Sequence, residues 1–327
     1  MRVTPSLDTL GSFEICEPPD DSFIESEPVI VFDGTNYVVA WSDEKYGPSN
    51  TYHPFVARVS PEGTVLDSGI KVSTSSVAEY RPNIVDDGQR SFVMWAGSSR
   101  GCYGRFVNRD GMPEGDVVTI ATGTASGPDA AFGDSCYLVV WHTGTYPTLE
   151  LYASLLSRTG ELVGSTIPIA TGPDCQRWAD VVHDGENFLV VWQTGLNNEA
   201  STIYGQFVGD DGSLVGTQFA ICGNEPQQRW WPCVAASDSN FLVAWEQGAS
   251  ARDVWGNIDL PVTGVAKAGD SPAIAPAGPT MFAGGPGPGS FQVFDALGRR
   301  VSGIRRPGTY FALLRGRPTK FIVGSGR

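Results

Sequence analysis

Two aspartates and an asparagine, Asp129, Asp180 and Asn83, each lie twelve residues ahead of a tryptophan: Trp141, Trp192 and Trp95 respectively. Val29 and Cys233 stand at the same distance from Trp41 and Trp245. Polar side chains at one repeated position, inside otherwise apolar runs, form an acidic ring if that position faces a common axis. Such a ring could hold water, a sugar or a Ca2+ ion on Asn83, Asp129 and Asp180. Asp129 and Asp180, several Å apart, could also supply the acid and base of an inverting glycosidase. The commoner use of such residues is to bond neighbouring backbone amides and channel water. A second group lies fourteen to sixteen residues ahead of the tryptophans: Tyr80-Arg81, Arg177-Trp178, and Trp230-Trp231 with Arg229 just before them. Aromatic faces beside guanidinium groups stack on sugar rings or aromatic ligands, and the planar cation pairs with carboxylates. Segments following the tryptophans add His142 and Glu246, completing the expected ligand-binding set. Trp178 and Trp231 can equally serve as packing wedges.

Other catalytic signals are weak. His53, His142 and His183 occupy unrelated positions, and the chain has neither an H-E-x-x-H nor a G-x-S-x-G motif. Asp-Gly pairs are too short for a calcium loop and suit hairpin turns instead. Gly284 to Gly289 contains no phosphate-loop lysine and reads as a hinge.

The elements that must position these residues come from an internal repeat. The run VFDGTNYVVAW (31–41) recurs as VDDGQRSFVMW (85–95), AFGDSCYLVVW (131–141), VHDGENFLVVW (182–192) and AASDSNFLVAW (235–245). Each tryptophan is followed by a polar loop, a second apolar run, a turn and, in four units, a short closing strand. Each unit therefore reads as four short antiparallel strands with tight turns. Repeats of roughly 40–50 residues with this pattern predict a β-propeller. Five tryptophans predict five blades. The fifth unit stops after its third strand, while Phe13-Glu14-Ile15-Cys16 echoes Phe219-Ala220-Ile221-Cys222, so the N-terminal strand is expected to complete the fifth blade. Five-bladed glycosidases form a known fold group, but their third acidic residue has no counterpart in this pattern.

The chain of 327 residues carries 22 basic and 36 acidic side chains, a net charge of −14. Residues 1–260 hold 13 basic and 34 acidic groups, whereas residues 261–327 hold 9 and 2. The acidity of the larger part excludes a nucleic-acid partner for it, and no apolar run is long enough to span a membrane. The expected organisation is a propeller over 1–260, a Pro/Gly/Ala-rich linker over 261–289, and a small β segment over 290–327. In that last segment Phe294, Asp295, Gly298, Arg299 and Val301, then Gly308, Tyr310 and Phe311, then Lys320 and Val323, form a pattern. It resembles the C-terminal sorting domains of type IX secretion cargo and related Ig-like C-terminal modules. The resemblance implies export across two membranes, with export machinery as a partner and a secreted or cell-surface location. Met1-Arg2-Val3-Thr4-Pro5 leads into repeat sequence without an apolar signal region, which fits export only if residue 1 is a mature or truncated start. Six cysteines without a C-x-x-C pair argue against a zinc ribbon and permit disulfides, with Cys175–Cys233 the favoured pair. The alternative is that most are small buried hydrophobes.

Taken together, the residues favour a secreted or surface binding scaffold that recognises glycan or protein through one propeller face, without catalysis or cofactor. The alternatives are a glycoside hydrolase acting through Asp129 and Asp180, and a structural surface or filament subunit.

Overall fold

A computed structural model describes residues 2–3, 9–16, 24–44, 51–67, 69–98, 101–196, 200–222, 226–237, 240–249 and 252–261. It also describes, as strands, 280–281, 293–295, 300–301, 308–314 and 317–323. The fold is all-β: five antiparallel sheets stand in a ring, each with its first strand innermost. The inner strands are Glu25–Phe32, Glu79–Asp86, Ser126–Phe132, Gln176–His183 and Arg229–Ala236. Each pairs with the strand that carries the repeat tryptophan: Tyr37–Asp43, Ser91–Gly97, Cys136–Thr145, Asn187–Thr194 and Asn240–Gln247. Third strands follow at His53–Val59, Gly101–Val107, Thr148–Ser157, Thr202–Gly209 and Asp253–Pro261.

The inner hairpins close through aspartate turns. Asp33 Oδ1 accepts from the amides of Thr35 and Asn36 at 2.8 and 2.6 Å, and Asp87 and Asp184 repeat the device. An aspartate that folds back on its own chain in this way fixes the tight reversal a hairpin needs. All five repeat tryptophans are buried. Each faces a large side chain in the third strand: Phe55, Tyr103, Tyr152, Tyr204 and Trp255. A buried indole N–H needs an acceptor. Trp95 finds Glu79 at 2.7 Å, Trp192 finds Gln176 at 2.9 Å, and Trp41 and Trp245 turn to Asp43 and Gln247. The acceptor sits sixteen residues before the tryptophan or two after it, so the same strand pair that buries the ring also satisfies it.

Two details differ from expectation. The outermost strand of the fifth sheet is Thr280–Met281, while Arg2–Val3 and Thr9–Gly11 pair with each other. Ile15 and Cys16 nevertheless pack on Trp41 and Phe55 of the first blade, as Ile221 and Cys222 pack on Phe241 and Trp245 of the fifth. Apolar packing there takes the place of the expected strand ladder. The Cys175–Cys233 disulfide is absent, and among the described residues no disulfide is formed. Cys175 lies before its inner strand and Cys233 in the middle of the next one, five residues further on relative to the repeat. At about 3.3 Å per residue that offset exceeds the Cα separation a disulfide spans. The C-terminal strands Val293–Asp295, Arg300–Val301, Gly308–Leu314 and Arg317–Val323 form one four-stranded sheet. Gly298 and Arg299 of the sorting-type pattern, and most of the 261–289 linker, lie outside the described residues.

Candidate functional site

The inner strands are not regular. In every blade the pairing slips between the residue fifteen and the residue twelve positions before the tryptophan: Ser26/Val29, Tyr80/Asn83, Ser126/Asp129, Arg177/Asp180 and Trp230/Cys233. Inside each slip one residue takes a left-handed backbone: Glu27 (φ 56°), Arg81 (53°), Gly127 (61°), Trp178 (54°) and Trp231 (46°). The next residue is proline in four of the five, Pro28, Pro82, Pro128 and Pro232, with Ala179 in the fourth blade. A bulge has no ladder partner for that amide, so a residue without an N–H fits there. Four non-glycine residues in this conformation each cost of order 1–3 kcal/mol, and such strain collects where side chains must be aimed. The bulges turn one side chain toward the mouth of the channel in each blade but the third, where the bulge residue is Gly127.

At that mouth the Arg81 guanidinium lies over the Trp178 ring, 4.7 Å from its centroid, reaching across the third blade. Gly127, the residue between them in the ring, carries no side chain. Its glycine is not required by φ, because four other residues hold the same conformation. Space requires it: a Cβ at Gly127 would lie 2.8 Å from His142 Cε1. His142 is buried and meets Trp178 edge-on at 6.0 Å. Burial, with Arg81 and Arg177 nearby, holds its pKa down to about 4, so the imidazole is neutral at physiological pH. Glu27 Oε2 accepts from the Arg81 amide at 2.8 Å and from Ser42 Oγ at 3.2 Å. Tyr80 is exposed and rests on Tyr52, while Arg177 sits 5.8 Å from the Tyr146 ring. On the far side of the mouth Arg252 stacks over Trp230 and Trp231 and pairs with Glu246 at 3.1 Å. A cavity of about 570 Å³ opens between the second and third blades, lined by Glu27, Tyr80, Arg81, Thr124, Ser126 and Tyr146 among others.

Four members of the expected binding set, Arg177, His142, Arg229 and Trp230, are buried in the walls. Arg229 is 2% exposed, and its guanidinium donates to Gln247 Oε1 at 2.9 Å and Ser201 O at 2.7 Å. Trp230 is buried beside it, leaving Trp231, 48% exposed, as the available indole.

One step below the mouth, the polar residues form a relay around the axis. Asn83 Nδ2 donates to Asp129 Oδ1 at 2.7 Å, Asp129 and Asp180 share a hydrogen bond, and Asp180 Oδ2 accepts from the Val234 amide at 2.8 Å. Each side chain also accepts from the next amide in its own strand, those of Ile84, Ala130 and Val181. The relay thus ties blades two to five together. Desolvation, then the neighbouring Asp180 charge, holds Asp129 well above the usual carboxylate range. Asp180 is raised by desolvation too, but hydrogen bonds from Asp129, Val234 and Val181 oppose the rise. Asp129 therefore carries the proton and Asp180 receives it. These oxygens are committed to N–H and O–H donors, and among the described residues no group of three His, Cys, Asp or Glu stands at metal-binding proximity.

The arrangement is a five-bladed propeller with an aromatic and guanidinium mouth above a proton-sharing carboxyl pair. No protein-family model matches the sequence, and no curated protein matches it. Among solved structures, the chain is similar to a GH43 endo-arabinanase from Bacillus licheniformis, at 12% identity over 74% of this chain and 96% of that one, TM-score 0.42. An endo-arabinase from Bacteroides thetaiotaomicron matches at 10% identity over 76% and 97%, TM-score 0.47. An α-L-arabinofuranosidase from Lactobacillus brevis matches at 11% over 72% and 90%, TM-score 0.46. The preference for a scaffold without catalysis is corrected to an open one: the solved structures named are enzymes, at a likeness that shows no more than the fold. Sequence reasoning identified Arg81, Trp178 and Trp231 but missed Glu27 and Gly127. The four prolines thirteen residues before the repeat tryptophans were the signal that would have found all five bulges.

Proposed function

We propose that the protein is a polysaccharide-acting glycoside hydrolase that works at the channel mouth. The observation that carries this reading is the proton-sharing carboxyl pair of Asp129 and Asp180, each two residues along its inner strand from a bulge residue, Gly127 and Trp178, at the aromatic and guanidinium mouth. Glycosidases set two carboxyl groups roughly 5–9.5 Å apart across the sugar. A hydrogen-bonded pair is closer than that, so Asp129 and Asp180 act as one proton-holding unit rather than as opposed acid and base. Asp129 turns its proton from Asp180, which stays a carboxylate, to the glycosidic oxygen, and the second carboxylate is Glu27 on the mouth ring, which draws a proton from the attacking water. Water's oxygen bonds to the anomeric carbon as the glycosidic bond breaks, and the proton on Glu27 returns to the pair. Trp178, Trp231, Tyr80 and Tyr146 supply faces for sugar rings.

Reducing ends released from arabinan, galactan and pectic polymers test the reading. Wild-type turnover that falls at least 10³-fold in both Asp129→Asn and Glu27→Gln is expected; turnover unaffected by either change overturns the assignment. Export through residues 290–327 is proposed from the sorting-type pattern alone. A reporter fused to that segment should be exported by a type IX host, and retention in the periplasm would refute it.

A further inference from the structure

Resting on the carbohydrate reading above, we propose that the cavity beside Arg81 takes a uronic acid, so that the substrate is an acidic glycan whose sugar carboxylate is bound by the Arg81 guanidinium.

Arg81 is placed as an anion receptor. Its backbone is fixed by the bulge, and its amide is held by Glu27. Its guanidinium is held flat on Trp178, with the side chain 44% exposed at the cavity wall. Among the described residues the guanidinium donates no hydrogen bond. Its one ionic neighbour, Glu27, stands at 3.9 Å from Nε, a loose contact in which the paired Nη donors stay available. Stacking therefore fixes the plane of the fork while leaving its donors open, which suits a bidentate carboxylate. A residue meant only for packing would have spent those donors on the protein, as Arg229 does.

The surroundings agree. The cavity wall holds one cation, Arg81, and one carboxylate, Glu27. Arg177, buried and outside that lining, lies near enough to His142 for its charge to lower the imidazole pKa together with that of Arg81. The exposed Arg81 guanidinium stands on a part of the chain with 34 acidic and 13 basic residues. A polyanion is repelled by such a body unless a cation with open donors is there to receive it. Tyr80 and Tyr146 flank the cavity with rings suited to sugar faces, and its volume of about 570 Å³ falls within the usual range for ligand pockets. A neutral pentose would leave the fork unpaired; a hexuronate fills it.

Calorimetry with trigalacturonate and its fully methyl-esterified form tests this, because the ester removes each carboxylate charge at the addition of one methyl group per sugar. Wild type is expected to bind the free acid at least tenfold more tightly than the ester, with the advantage shrinking between 50 and 500 mM salt. Arg81→Gln should abolish the difference and Arg81→Lys should reduce it, both with a melting temperature lowered by no more than the loss of one exposed cation–π stack and one loose ion contact. Equal binding of acid and ester, no binding of either, or an acid preference that survives in Arg81→Gln overturns the proposal. Failure of the hydrolase reading is distinguishable: selective acid binding without cleavage of any polysaccharide sinks that reading alone, and cleavage of neutral arabinan with no acid preference sinks this one alone.

Discussion

The relay around the axis makes Asp129 and Asp180 respond differently to the same amide substitution. Asp129 Oδ1 accepts from Asn83 Nδ2 and the Ala130 amide, while its other oxygen donates a proton to Asp180. An asparagine reproduces that pattern, with Oδ1 as acceptor and Nδ2 as donor. Asp180 accepts on both oxygens, from the amides of Val181 and Val234. An asparagine there aims an NH2 at an N–H and leaves a donor unpaired, which costs about 1–3 kcal/mol. The pH dependence separates the two further. Because the folded state holds the Asp129 proton above the unfolded value of about 3.9, this group's contribution to stability is complete below that pH. It is lost as pH rises toward the elevated folded pKa, at about 1.4 kcal/mol per pH unit. Asp129→Asn removes that slope. Urea unfolding at pH 5, 6, 7 and 8 should show Asp129→Asn overtaking wild type as pH rises, with Asp180→Asn weaker than wild type at pH 5. Equal losses for both variants, or an unchanged slope in Asp129→Asn, would refute the placement of the proton.

Three further outcomes follow from the same geometry. Arg229→Met strips donors from the Ser201 carbonyl and Gln247 in a buried wall and should cost about 1–3 kcal/mol, lowering Tm by several degrees in a thermal melt. Glycan binding should persist while the variant is folded. Gly127→Ala pushes a methyl against His142 without changing the backbone class, costing about 1–3 kcal/mol and displacing the Trp178 edge contact; Tm and sugar-dependent Trp fluorescence both report it. A reductant should leave Tm unchanged, and six thiols per chain should react after denaturation, since no disulfide is formed among the described residues.

The ring itself was legible because its signals are local and repeated. Five tryptophan strands, their aspartate turns and their apolar alternation all follow from period-two burial and hairpin chemistry. The ring of residues twelve positions before the tryptophans was found by counting, but its meaning was not. Whether two carboxyls stand one hydrogen bond or several Å apart depends on blade spacing, which no single strand encodes. The mouth was half legible for a similar reason. Arg81 and Trp178 attract notice as residue types, whereas Glu27 and Gly127 matter through a backbone conformation that only the bulge, with its proline, reveals. Arg229 resembles Arg81 in sequence context, yet a shift of two positions along a strand takes it from the mouth to the buried wall. The fifth blade's outer strand was misplaced because Ile15 and Cys16 carry the right apolar pattern but satisfy it by packing, not by pairing.

The most direct test of the account is the structure of Asp129→Asn crystallised with an oligosaccharide released from its best polymeric substrate. The account predicts a sugar in the channel mouth, stacked on Trp178 or Tyr146, with its glycosidic oxygen within hydrogen-bond distance of residue 129 and Glu27 on the opposite side. A sugar bound on the outer faces of the blades, or a mouth that stays empty at saturating ligand, would contradict it.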